Sequence, residues 1–140
     1  MSQSQNLKAS CLCGAVTITA SKAKSEFDAC HCSMCAKWGG GPLLTVECGS
    51  DIGIEGADSV SVFSSSDWAE RAFCKHCGSH LFYHLKSHNE YVLPLGLFDD
   101  RPQLQFDKQI FIDEKPADYH FGNDTKDMTG QQVFEMFAQQ

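Results

Sequence analysis

Seven of the eight cysteines in this chain fall into three tight groups: Cys11 with Cys13; Cys30 with Cys32 and Cys35; and Cys74 with Cys77. Thiolates spaced two or three apart can converge on one ion, and a structural zinc takes four such ligands in a tetrahedron. Cys11 and Cys13 supply half a site and Cys74 and Cys77 the other half. Together they would form a closed four-thiolate cage that staples an early hairpin to a middle one. Gly14 and Gly78 follow directly, where a tight turn around the metal needs relief from crowding. The middle group differs, because three thiolates within six residues leave a fourth position open, the pattern of a catalytic zinc. Two alternatives stay open on spacing alone. Cys48 could close the middle site, although a lone cysteine at the end of an apolar strand reads first as buried packing. The amino-terminal pair could also join the middle group.

The totals restrict what such sites serve. At 140 residues the chain fits a single domain over 1–140 with a modest core, which a metal clasp would reinforce. A net charge of -7 with scattered basic residues argues against nucleic acid and against anionic membrane surfaces. Met1–Lys8 has no apolar run, and no stretch approaches the ~20 apolar residues of a membrane span. The expected location is therefore the cytoplasm, where eight cysteines are metal ligands or reactive thiols more often than disulfides.

The elements expected to position these groups are mostly strands. Val16–Ala20 and Val60–Phe63 alternate, and Leu43–Val46 is apolar and β-branched. Further strands are expected at Arg71–Phe73, Leu81–Leu85, Tyr91–Leu95 and Gln109–Ile112, separated by Gly- and Ser-rich turns. One short helix should run from Cys32 to Trp38. A second should follow Thr129-Gly130-Gln131-Gln132, which has capping-box spacing ahead of Val133, Phe134, Met136 and Phe137. The expected fold is mainly β: small antiparallel sheets clasped by zinc, with a short carboxy-terminal helix. His31, between two candidate ligands, should point away from the metal as a supporting partner. His80, His84 and His88 read as solvent-facing or core-edge residues, and Trp38 and Trp68 as core. Cys74-x-x-Cys77 could be a redox pair, but no βαβ unit surrounds it.

With these residues laid out, the chain resembles the glutathione-dependent formaldehyde-activating enzyme family, which also includes centromere protein V. The matching motifs are Cys11-Leu12-Cys13-Gly14, Cys30-His31-Cys32-Ser33-Met34-Cys35 with Lys37–Pro42, Arg71–Gly78, and Gln109–Pro116. The resemblance implies a β-tent fold and two zinc ions per chain. It implies a structural zinc on Cys11, Cys13, Cys74 and Cys77, and a catalytic zinc on Cys30, Cys32 and Cys35. It also implies carbon–sulfur lyase chemistry on a thiol–aldehyde adduct such as S-hydroxymethylglutathione, with a small thiol and a small aldehyde as partners. A zinc already holding three thiolates is a weak Lewis acid, better suited to a soft fourth ligand than to making hydroxide. An anionic peptide thiol such as glutathione would need Lys37, Arg71 or Lys75 at the entry. A zinc-stapled module that only binds protein partners is the other expectation.

Overall fold

The computed structural model describes residues 4–100 and 103–138. Its strands are β1 (Ser4–Ser10), β2 (Thr17–Lys24), β3 (Glu26–Cys30), β4 (Leu43–Glu47), β5 (Ile52–Glu55) and β6 (Val60–Phe63). They continue with β7 (Ala69–Cys74), β8 (His80–Leu85), β9 (Glu90–Pro94), β10 (Gln105–Ile110) and β11 (Lys126–Met128). The helices are α1 (Ser33–Gly39) and α2 (Gly130–Ala138). These elements form two compact units, one from Met1–Ser25 and Val46–Leu104, the other from Glu26–Thr45 and Gln105–Gln140.

The first unit is antiparallel throughout. β2 alternates, turning Ile18, Ala20 and Ala23 inward. It pairs with β1 on one side and β5 on the other. The run β6–β7–β8–β9 is a meander that pairs Val60 with Cys74 and Tyr83 with Val92, with one register shift between Ala72 and Phe73. Its inward side chains include Ala69, Ala72, Leu81 and Leu93, all fully buried. Burying a leucine side chain contributes about 2 kcal/mol. Gly56 lets the chain pass close to the Ala15 carbonyl, where a Cβ would sit 1.9 Å from the oxygen.

The second unit is mixed. β3 runs antiparallel to β4 but parallel to β10, and β10 is parallel to β11. Phe27 stacks on Phe106 across the parallel pair at 4.8 Å, and Phe121 meets Phe106 edge-on. The capping box at α2 is complete: Thr129 N–H donates to Gln132 Oε1 at 2.8 Å, and Gln132 N–H donates to Thr129 Oγ1 at 3.2 Å.

The mainly β architecture and both helices match the sequence expectation, as do the strands around Val16–Ala20, Leu43–Val46, Val60–Phe63, Arg71–Phe73, Leu81–Leu85 and Tyr91–Leu95. One strand is corrected. The strand expected at Gln109–Ile112 instead runs over Gln105–Ile110 and stops there, because Phe111 adopts a left-handed φ of 55° and Ile112–Glu114 closes into a 3-10 turn. Trp68 is corrected too, being exposed rather than core. No helix among the described residues is long and apolar enough to cross a membrane.

Candidate metal centres

Two tight turns, each with a left-handed glycine, build the first thiol group. At the end of β1, the chain bends so that Gly14 N–H donates to Cys11 O at 3.0 Å, with Gly14 at φ 83°. At the end of β7, Gly78 N–H donates to Cys74 O at 2.8 Å, with Gly78 at φ 76°. Both glycines occupy a left-handed conformation that is costly for other residues. Ser79 ties the turns together: its Oγ accepts from Leu12 N–H at 3.0 Å and lies 3.2 Å from Cys77 Sγ.

The sulfurs of Cys11, Cys13, Cys74 and Cys77 all lie within 4.8 Å of one another. Ligands ~2.3 Å from a tetrahedral zinc are separated by roughly 3.8 Å. Cys11 to Cys13 measures 3.6 Å and Cys13 to Cys74 measures 3.7 Å, close to that spacing, so this donor set suits zinc. The turn also supports thiolate. Hydrogen bonds from Ser79 side chain and backbone hold Cys77 down at about 5. Burial pushes the Cys11 thiol up, but the Val16 N–H, 3.3 Å from its Sγ, together with the Cys13 and Cys74 thiols brings it below its ordinary value. At Cys13 the Ala15 N–H favours thiolate, but burial and the adjoining thiols push it up to about 11. That is the behaviour of crowded like charges, and a dication in their midst would relieve it.

The second group sits at a strand-to-helix junction. Cys30 ends β3, Cys32 is the extended N-cap of α1, and Cys35 lies one turn into the helix. Their sulfurs also fall within 4.8 Å of one another. Cys35 N–H donates to Cys32 Sγ at 3.2 Å, and Glu114 Oε1 accepts from Ser33 N–H at 2.9 Å, so two of the free donors of the first turn are used. Cys32 and Cys35 hold the buried Cys30 thiol strongly protonated, with burial adding to the effect. Three soft donors converging on one point suit a thiophilic cation.

The grouping is thus Cys11, Cys13, Cys74 and Cys77 together, and Cys30, Cys32 and Cys35 together; the amino-terminal pair does not join the middle group. Cys48 belongs to neither. Its thiol is fully buried, donates to Val46 O at 3.4 Å, and is pushed up to about 12 by burial and then by Glu90. Of the three expected entry cations, Arg71 is only 3% exposed and its guanidinium lies 5.0 Å over the Tyr83 ring, a core position. Lys37 is exposed in the last turn of α1, in the same unit as the three-cysteine group. Lys75 is exposed beside Cys74 in the other unit.

His31 is buried, and its Nε2 lies 2.9 Å from Gln109 Oε1. His80 and His84 lie half-buried on β8, and His84 sits between Glu70 and Asn89 while stacking on Tyr91. Sequence reasoning missed Glu114 and Ser79. The signal for Ser79 was its place directly after Cys77-Gly78, whereas Glu114 is far from α1 in sequence.

The sequence model described as glutathione-dependent formaldehyde-activating enzyme matches residues 6–114. A protein named an uncharacterized lyase in Schizosaccharomyces pombe is 32% identical over 126 residues, covering 89% of this chain and 92% of its own length. A Halomonas elongata protein, provisionally named a glutathione-dependent formaldehyde-activating enzyme, is 28% identical over 121 residues, covering 79% of this chain and 77% of its own. A Rhodobacter sphaeroides crystal structure shares the fold with a TM-score of 0.55 at 24% identity, over 66% of this chain and 88% of its own. With a match across most of the chain, this protein belongs to the glutathione-dependent formaldehyde-activating enzyme family.

Proposed function

We propose that this protein is a zinc-dependent carbon–sulfur lyase-type enzyme acting on thiol–aldehyde adducts of the S-hydroxymethylglutathione kind. In this reading Cys11, Cys13, Cys74 and Cys77 hold a structural zinc, and Cys30, Cys32 and Cys35 hold the catalytic one. The supporting observation is the asymmetry of the two thiol groups: four in one, three in the other, with Cys48 occupied elsewhere. A tetrahedral ion in a four-thiol cage has no place for substrate, whereas a three-thiol set leaves one.

Cys30, Cys32 and Cys35 would hold the zinc, which would supply charge that favours the thiolate form of an incoming thiol at neutral pH. In the forward direction the thiolate sulfur forms a bond to the aldehyde carbon, and the carbonyl electron pair moves to oxygen. The oxygen then takes up the proton the thiol released. The reverse direction breaks the same bond. The three cysteines fix the point at which the sulfur must arrive. Lys37 offers an exposed charge in the same unit for a substrate carboxylate. The relatives' printed names, a lyase and a glutathione-dependent formaldehyde-activating enzyme, support the same reaction class.

Cys35→Ser tests this. The variant should fold, bind about one zinc fewer per chain, and lose catalysis of glutathione–formaldehyde exchange at equilibrium, measured after subtracting the spontaneous rate. Equal exchange rates for wild type and Cys35→Ser across several thiols and aldehydes would remove the enzyme reading and leave a zinc-stapled binding module.

A further inference from the structure

A polar chain of one direction runs through the second unit and ends on His31, the residue between Cys30 and Cys32 in the sequence. Thr125 Oγ1–H donates to Asp127 Oδ1 at 2.7 Å; Asp127 is exposed and, ionised, can only accept. That uses the single hydroxyl proton, so Thr125 Oγ1 accepts from Gln109 Nε2 at 2.9 Å. The amide orientation is then settled, and Gln109 presents Oε1 to His31 Nε2, 2.9 Å away. The imidazole must therefore donate from Nε2, which leaves Nδ1 of the neutral ring a bare lone pair. Nδ1 is the one buried side-chain polar atom of this unit without a hydrogen-bond partner among the described residues.

The ring is also fixed sterically and by its backbone. His31 is 3% exposed, Tyr119 and Phe121 flank it at 6.5 and 6.1 Å, and its N–H donates to Ile110 O at 3.0 Å. Cys30 ends a strand and Cys32 is extended, so side chains alternate through this segment. A ring pinned on one face fixes the thiols before and after it on the other. Thr125 and Asp127 lie beyond the residues that the family model matches.

We propose that Gln109, Thr125 and Asp127 are positioning residues for the three-cysteine site: they lock His31 as its Nε2–H tautomer and thereby set the aim of Cys30 and Cys32. The kinetic consequence rests on the function proposed above; the tautomer does not. Buried Gln109 and half-buried Thr125 act through His31, as supporting partners of metal ligands generally act, and losing one costs about tenfold in metal affinity or activity.

The test is nitrogen-15 NMR of the His31 ring in the zinc-loaded full chain, with cobalt(II) absorption at the three-cysteine centre as a second readout. Wild type should carry its ring proton on Nε2. Thr125→Val keeps the side-chain shape and never touches His31, yet should give mixed tautomers and shifted cobalt bands. Gln109→Leu should do the same, and Gln109→Glu, which retains the acceptor, should restore both signals. Should Gln109→Leu fail to fold, Thr125→Val and Gln109→Glu still decide the matter. A wild-type proton on Nδ1, or a Thr125→Val protein with unchanged tautomer and cobalt spectrum, overturns the proposal. A wild type inactive on thiol–aldehyde adducts would defeat the enzymatic reading while leaving both spectroscopic results to stand or fall separately.

Discussion

The two thiol groups are made by opposite means. The four-cysteine group consists of two glycine-hinged turns, each closed by a backbone bond from its glycine to the carbonyl of the first cysteine, with Cys13 exposed and Cys77 half-buried. The three-cysteine group has no such turn. It hangs between the end of a strand and the first turn of a helix, and its fixed points are Gln109 and Glu114, roughly eighty residues further along the chain. A local turn defines its own ligand geometry and needs only an ion to complete it. A site at a junction is defined by what surrounds it, and can keep a position free. In the function proposed above, clasp and reactive centre share one ligand type and differ in role.

The sharpest way to break this contrast is to remove a clasp ligand. Cys77→Ser should unfold or aggregate the protein, since structural zinc contributes on the order of 10 kcal/mol to small metal domains. A variant as heat-stable as wild type by calorimetry, with its full zinc content, would show that the turns stand without the ion. A gentler probe is Gly78→Ala. No atom lies within 4 Å of the added Cβ, so the cost is that of the left-handed backbone alone, about 1–2 kcal/mol, and zinc should be lost from the clasp at lower chelator concentration. Unchanged chelator titration would mean that the turn geometry is not what prepares the site. The smallest effect is expected at Cys48. Cys48→Ala should keep zinc stoichiometry and lose about 1 kcal/mol of stability in denaturant titrations. A loss of one zinc per chain would instead make Cys48 a ligand and erase the difference in coordination.

What could be read in advance follows the same division. The clasp was legible because its chemistry is local: Cys11, Cys13 and Gly14, like Cys74, Cys77 and Gly78, declare ligand and hinge within a few residues. The capping box at Thr129–Gln132 was legible for the same reason, and both of its bonds form. The strands β3, β10 and β11 were harder. Glu26–Cys30 and Lys126–Met128 are short and carry charge, and their pairing with β10 is parallel and long-range, so no turn between neighbours marks it. Phe111 misled the reading of Gln109–Ile112, because an apolar β-former there takes a left-handed backbone instead of extending the strand. Glu114 and Gln109 carry no local sign of the thiols they support; only the fold brings them near.

Asp113 and Glu114 sit side by side in one 3-10 turn, yet each receives the N–H that opens a different helix. Asp113 Oδ1 accepts from Gly130 at 2.8 Å and Glu114 Oε1 from Ser33 at 2.9 Å. The turn works like a two-pin connector, in which spacing and order both carry meaning. Inserting or deleting one residue here would offer each helix the wrong carboxylate or none, disturbing the thiol junction and the carboxy-terminal helix together. Length at this point in the chain is therefore under tighter constraint than composition, and a single-residue deletion should do more harm than exchanging either acid for its amide.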